Sequence, residues 1–249
     1  MIANVVLLLR KLGPLDVRNI RRDPLLVWVA LLPPALALIY GLLVPRLREL
    51  LLHEFQFDLA PFYPLIMSTF VTAAPGMIGM VIGFLLLDER DDGVLTAIGV
   101  TAVGPADYLA YRLSVPMIAG WLMTVACYPL AGLAPLPLVD LVAIAAVAAL
   151  SAPIVALFLA TFAENKVSGF AMVKVSNTIN MAPVAAWFFD PPLQWIVGIV
   201  PAYWPMKMLW LAAERERYAA YAAAGVAVNI LVMLWFMRRF RHRIDRASS

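Results

Sequence analysis

Five ionisable residues in a row, Asp88, Glu89, Arg90, Asp91 and Asp92, open a polar island over residues 88–112 between two long apolar runs. Such a stretch cannot sit in hydrocarbon and must be presented to water at a membrane surface. Within it Asp91 and Asp92 precede a short helical pattern, where carboxylates suit the positive helix end. Val94, Leu95 and Ile98 fall on one face of that pattern. A short amphipathic helix of this kind is shaped to fill a groove in a soluble partner, and Gly93 allows close approach to it. The chemistry of the island is therefore docking.

A second set lies in the apolar run 167–189. Lys174 falls about 10 Å into that run, with Asn177 one turn further on the same side and Asn180 nearby. Two readings stand side by side: a polar stripe lining a path between subunits, or a lysine that snorkels to the surface beside interhelical amide bonds. No catalytic set is visible. His53 and His242 lie outside the apolar runs and the single cysteine, Cys127, has no histidine near it, so neither a metal site nor thiol chemistry is expected. Asp140 reads as a helix-start residue. Trp187, Phe188, Phe189, Trp195, Tyr203, Trp204 and Trp210 read as an aromatic belt or, alternatively, a stacking surface for planar rings.

The elements that must carry these residues follow from composition. At 63% hydrophobic and 14% charged residues, with a mean hydropathy of +0.87, the chain lies far outside the soluble globular range. It reads as an all-α integral membrane protein, one six-span bundle in a single domain over residues 1–249. The net charge of +3 does not imply nucleic acid, because the basic residues sit beside apolar spans. Residues 1–23 read as an interfacial segment rather than a signal peptide. Spans are expected at 25–44, 61–87, 113–134, 138–162, 167–189 and 218–237, with Asp23 as N-cap and Pro24 opening the first. Gly79 and Gly83 fit close helix contact. Residues 193–213 are apolar but broken by Pro201 and Pro205. If they do not cross, fourteen of the 19 lysines and arginines fall on one side. That places both termini and the island in the cytoplasm, and residues 190–217 on the outer side as a re-entrant segment.

The residues now resemble a family. Glu89, Arg90, Gly93 and Leu95, followed by Val100-Thr101, Pro105 and the run Tyr108 to Arg112, are similar to the intracellular loop of ABC-2 type exporter permeases. The likeness is nearest to the fluoroquinolone-export permeases of actinobacteria. Ala102 stands where that family usually has proline. Residues 163–183 and 190–205 resemble its fifth span and its outer re-entrant helices. The resemblance implies a bacterial plasma-membrane permease subunit of an ATP-driven exporter, with residues 1–23 as an elbow helix and 88–112 as the coupling loop. Glu89, Arg90, Gly93, Val94, Leu95 and Ile98 would then couple to a separate ABC ATPase. No G-x-x-x-x-G-K-[ST] element occurs in the chain, so ATP and Mg belong to that partner. A second permease chain, identical or related, completes a path for an amphiphilic drug-like or lipid-like molecule. The competing readings are a lipid-modifying membrane enzyme, which lacks a visible set of catalytic groups, and a non-transporting anchor subunit.

Overall fold

The computed structural model describes residues 2–93 and 105–247. Among the described residues every regular element is helical, and five helical segments are long and apolar enough to cross a bilayer. The protein is a multi-pass membrane protein.

The first helix, α1 (Ile2–Arg22), is not one of the five. It lies against α2 and α4 and turns Leu8 and Asp16 inward. Asp23 then caps α2 (Pro24–Phe55) as its sequence suggests: Oδ1 accepts from the Leu25 backbone N–H at 3.0 Å, and proline takes the first helical position. The helix outlasts the expected span by eleven residues. At 32 residues it is about 48 Å long, well beyond what a hydrocarbon core of about 30 Å requires. Toward its end Arg48 pairs with Asp58 at 2.7 Å.

The centre of the bundle is α3 (Tyr63–Asp91). It packs closely on α6 (Ser151–Phe162), and two glycines permit the approach. A Cβ at position 79 would run into the backbone carbonyl of Ala152, and one at 83 would sit 2.8 Å from the Leu159 side chain. α4 (Pro105–Ala131) begins at the expected proline but eight residues before the expected span. The crossing 138–162 is divided into α5 (Leu138–Ala149) and α6 at Leu150. Pro153 explains the break, since it has no N–H and its ring displaces the carbonyl of Ala149.

The expected span 167–189 arrives in two pieces, the 16-residue α7 (Lys166–Met181) and a seven-residue 3-10 helix (Ala182–Phe188), so it is not among the five. Residues 193–213 are likewise not among the five. They are split between α8 (Pro191–Val197) and α9 (Tyr203–Ala213), of 7 and 11 residues. α9 corrects the aromatic reading. Tyr203, Trp204 and Trp210 are buried, Trp187 meets Trp210 edge-on at 5.0 Å, and the Trp204 indole donates to the Gly198 carbonyl. Three of the seven aromatics therefore form core at this end of the bundle, and Trp187 packs on it, whereas Phe188, Phe189 and Trp195 stay exposed. The last helix, α10 (Ala219–Ala247), is mostly exposed over its apolar part, the pattern of a lipid-facing helix.

Two core clusters result. One surrounds Phe70, Tyr128, Trp204 and Met206 at the far end, and the other Leu26, Phe84, Leu109 and Leu157 near the end that carries the 88–112 loop.

Candidate functional site

The loop is held on both sides by one arginine. Arg112 sits on the first turns of α4 with Tyr108 and Tyr111 at helical spacing, all facing inward. Its guanidinium is 3% exposed and makes three contacts: Nη1 donates to Asp16 Oδ2 of α1 at 2.7 Å, Nη2 pairs with Glu89 of α3, and Nε donates to the Tyr108 hydroxyl at 2.9 Å. The two phenols complete the set. Tyr108 donates to Glu89, and Tyr111 donates to Asp16 Oδ2 at 2.5 Å. A planar fork thus satisfies two carboxylates from two other helices at once, which a lysine ammonium cannot do with the same geometry.

A second layer lies beside it. Arg90 turns toward the end of α6 and donates to the carbonyls of Ala163 at 2.9 Å and Glu164 at 2.6 Å, a cation on the negative helix terminus. Lys166, at the start of α7, bridges Asp23 at 2.8 Å and Asp88 at 3.0 Å. Burial pulls the Lys166 ammonium down, but its hydrogen bonds to Asp23 and Asp88 outweigh that and hold it above its ordinary range. Asp23 is correspondingly held below the usual carboxylate range, chiefly by the Lys166 hydrogen bond. Between α1 and the end of α3 these residues border a cavity of about 660 Å³. Asp16, Asp23, Asp88, Glu89, Asp91 and Asp92 outnumber Arg22 and Arg112 on its walls.

These bonds change the place of the expected coupling residues. Asp88 to Asp91 are not loop but the last turn of α3, stabilised there by Lys166, Arg112 and the α6 carbonyls. The helix stops at Gly93, whose φ of +70° is the left-handed conformation that ends helices and that glycine adopts without strain. Glu89 and Arg90 are therefore engaged inside the subunit. Val94, Leu95 and Ile98 lie outside the described residues.

The second expected set is divided. Asn177 and Asn180 line a cavity of about 420 Å³ between α2, α3, α6 and α7, together with Tyr40, Thr69, Thr72 and Ser176. Lys174 is exposed, does not line that cavity, and its side chain makes no bond among the described residues. Cys127 is buried and donates to the Met123 sulfur, and His53 is exposed beside Glu54. Asp140 does open α5, and accepts from Tyr218 at 2.5 Å. Sequence reasoning missed the Asp16–Arg112 pair altogether. Its one local signal was Tyr108, Tyr111 and Arg112 on a single face at the mouth of an apolar helix.

A model of the Rv2686c-like fluoroquinolones export permease proteins matches residues 16–237, a segment that opens at Asp16 and takes in the whole lining of the second cavity and all of the first but Leu12 and Leu15. The chain belongs to this family. It is 33% identical over 232 residues, 92% of each chain, to the fluoroquinolones export permease protein Rv2686c of Mycobacterium tuberculosis (strain ATCC 25618 / H37Rv). The fluoroquinolones export permease protein MT2760 of strain CDC 1551 / Oshkosh matches with the same identity and coverage. No solved structure matches the chain.

Proposed function

We propose that this permease is the membrane subunit of an ATP-driven ABC exporter in the bacterial plasma membrane, moving a planar, amphiphilic, fluoroquinolone-like molecule out of the cytoplasm. Hydrolysis belongs to a separate ABC ATPase that binds ATP and Mg, and a second permease chain closes the path. The permease part rests on the family match. Six crossings follow when α7 and the 3-10 helix are counted as one, since together they extend about 38 Å. With α8 and α9 as outer re-entrant helices, α1 as the interfacial elbow and the basic residues gathered on one side, both termini and the 88–112 loop are cytoplasmic.

The observation that carries the coupling reading is the Arg112 clasp. It fixes the helix entering the loop, through Glu89, to the helix leaving it, and both to α1 through Asp16. A segment anchored this rigidly on both sides transmits displacement into the bundle. Glu89, Arg90 and Gly93 then set the direction in which the loop leaves the membrane, while Val94, Leu95 and Ile98 fill the ATPase groove. The acidic cavity beside the clasp favours a basic rim on that partner. Lys174 on the exposed face of α7 lies toward the second permease chain.

Leu95→Asp tests this. The variant is expected to reach the membrane in normal amount and to lose co-purification with the ATPase, whereas unchanged ATPase association and export would refute the docking role.

A further inference from the structure

The cavity between α2, α3, α6 and α7 has properties that the bundle's stability does not require. It lies deep in the membrane: Tyr40 is about 24 Å along α2, Thr72 about 14 Å along α3 and Asn177 about 17 Å along α7, against a hydrocarbon thickness of about 30 Å. Its volume of about 420 Å³ falls within the range of about 300–1,000 Å³ typical of small-molecule sites. Polar groups at this depth are costly unless satisfied, yet here they are satisfied unevenly.

The wall formed by α2 and α3 can accept but has no donor to spare. The Thr69 hydroxyl donates its one proton to the Ile66 carbonyl at 2.7 Å, so in the 3.0 Å contact with Tyr40 the phenol must donate. Thr72 likewise gives its proton to the carbonyls of Ser68 and Thr69. What Tyr40 and Thr72 keep toward the cavity are lone pairs. The opposite wall differs. Asn177 lies at the open side of the cavity, exposed in the single chain, and its amide makes no hydrogen bond among the described residues; half-buried Asn180 reaches only Ser176 at 3.4 Å, so α7 offers donors and acceptors together. Met77, Met80 and Met181 supply apolar surface that adapts to a flat ring. Among the described residues no charged side chain lines the space.

We infer that this cavity is the drug-binding site of the permease and that it selects planar amphiphiles of zero net charge, uncharged or zwitterionic. Such a ligand turns a donor toward Tyr40 and Thr72 and a carbonyl or carboxyl edge toward Asn177. The inference rests on the exporter reading above and adds where the substrate sits and which charge state is taken.

Gly76 makes the site testable. It lines the cavity and a Cβ there meets nothing within 4 Å, so the Gly76→Leu side chain starts in open space and grows into the cavity. Wild-type permease in nanodiscs, without ATPase, is titrated with norfloxacin as a zwitterionic probe and with ethidium as a planar permanent cation. Saturable norfloxacin binding is expected, at least tenfold weaker in Gly76→Leu and about tenfold weaker in Asn177→Leu. Ethidium should bind at least tenfold more weakly than norfloxacin. Absence of saturable norfloxacin binding, or equal affinity in all three proteins, overturns the site, and equal affinity for ethidium overturns the charge selection. Norfloxacin export from cells separates the two levels. If Gly76→Leu exports as well as wild type, the site falls and the exporter reading stands. If wild type binds norfloxacin at the cavity but neither exports it nor associates with an ATPase, the exporter reading falls and the site stands.

Discussion

The two polar regions of this permease spend their side chains in opposite ways. At the loop end the groups are charged and paired with one another: Arg112 bridges buried Asp16 and part-buried Glu89, and two tyrosines donate to the same carboxylates. In the cavity between α2, α3, α6 and α7 the lining side chains among the described residues are neutral, and the Asn177 amide makes no hydrogen bond among them. Pairing at one end makes a fixture; the open amide in the middle is what the proposed ligand site uses. Charge in the membrane is tolerated where it is satisfied internally, and what remains unsatisfied is kept neutral and therefore less costly.

The largest expected effect comes from breaking the fixture. Arg112→Met strands buried Asp16 and part-buried Glu89 and should cost about 3–5 kcal/mol, read as a loss of thermal stability in detergent. Arg112→Lys should recover only part of it, because an ammonium cannot bridge Asp16 and Glu89 as the fork does. Full recovery by lysine would show that charge alone holds the region together.

A sharper contrast lies one turn apart on α3. Gly79→Ala drives a Cβ into the Ala152 backbone and is expected to destabilise by about 1–3 kcal/mol. Gly76→Ala points into open space and should stabilise by about 0.5–1 kcal/mol through its helix preference. Unfolding midpoints of the two variants, measured side by side, check both signs.

The smallest effect belongs to the Lys166 bridge, which is 38% exposed, so Lys166→Met should cost less than about 1 kcal/mol. Its pH dependence has a definite sign. Asp23 is depressed, so its contribution is present above the ordinary value of 3.8 and lost as pH falls through the lowered one; Lys166 is raised, so its contribution is present below 10.5 and lost as pH rises through the raised value. The stability difference between wild type and variant should be flat from about pH 5 to 9 and shrink below about pH 4. A difference that varies across the neutral range would mean that the bridge is not what the substitution removes.

Much of the frame was legible in the residues. Hydropathy gave the membrane class, Asp23-Pro24 marked a helix start and Gly79/Gly83 a close contact, because each depends on local backbone chemistry. What stayed hidden depends on partners distant in sequence. Asp16 and Arg112 are 96 positions apart, and nothing local says that Glu89 turns inward rather than toward solvent. The extension of α3 to Asp91 follows from those same long-range bonds. The aromatic residues of α9 misled for a related reason: a Trp-rich segment beside prolines has the composition of a membrane-interface belt, and only its packing against α3 and α10 shows it to be core. Asn177 and Asn180 were found by their depth in an apolar run, whereas the Tyr40 and Thr72 they face lie on other helices.

The most direct measurement is ATP-driven norfloxacin transport in proteoliposomes holding the permease and its co-purified ATPase, compared across wild type, Arg112→Lys and Gly76→Leu. Wild type should accumulate drug on ATP addition. Arg112→Lys should still bind norfloxacin but lose most drug-stimulated hydrolysis, and Gly76→Leu should keep its ATPase associated but lose drug stimulation together with drug binding. Wild-type vesicles that hydrolyse ATP without moving norfloxacin, or two variants that lose binding and stimulation in the same proportion, would contradict a division of labour between a coupling clasp and a ligand cavity.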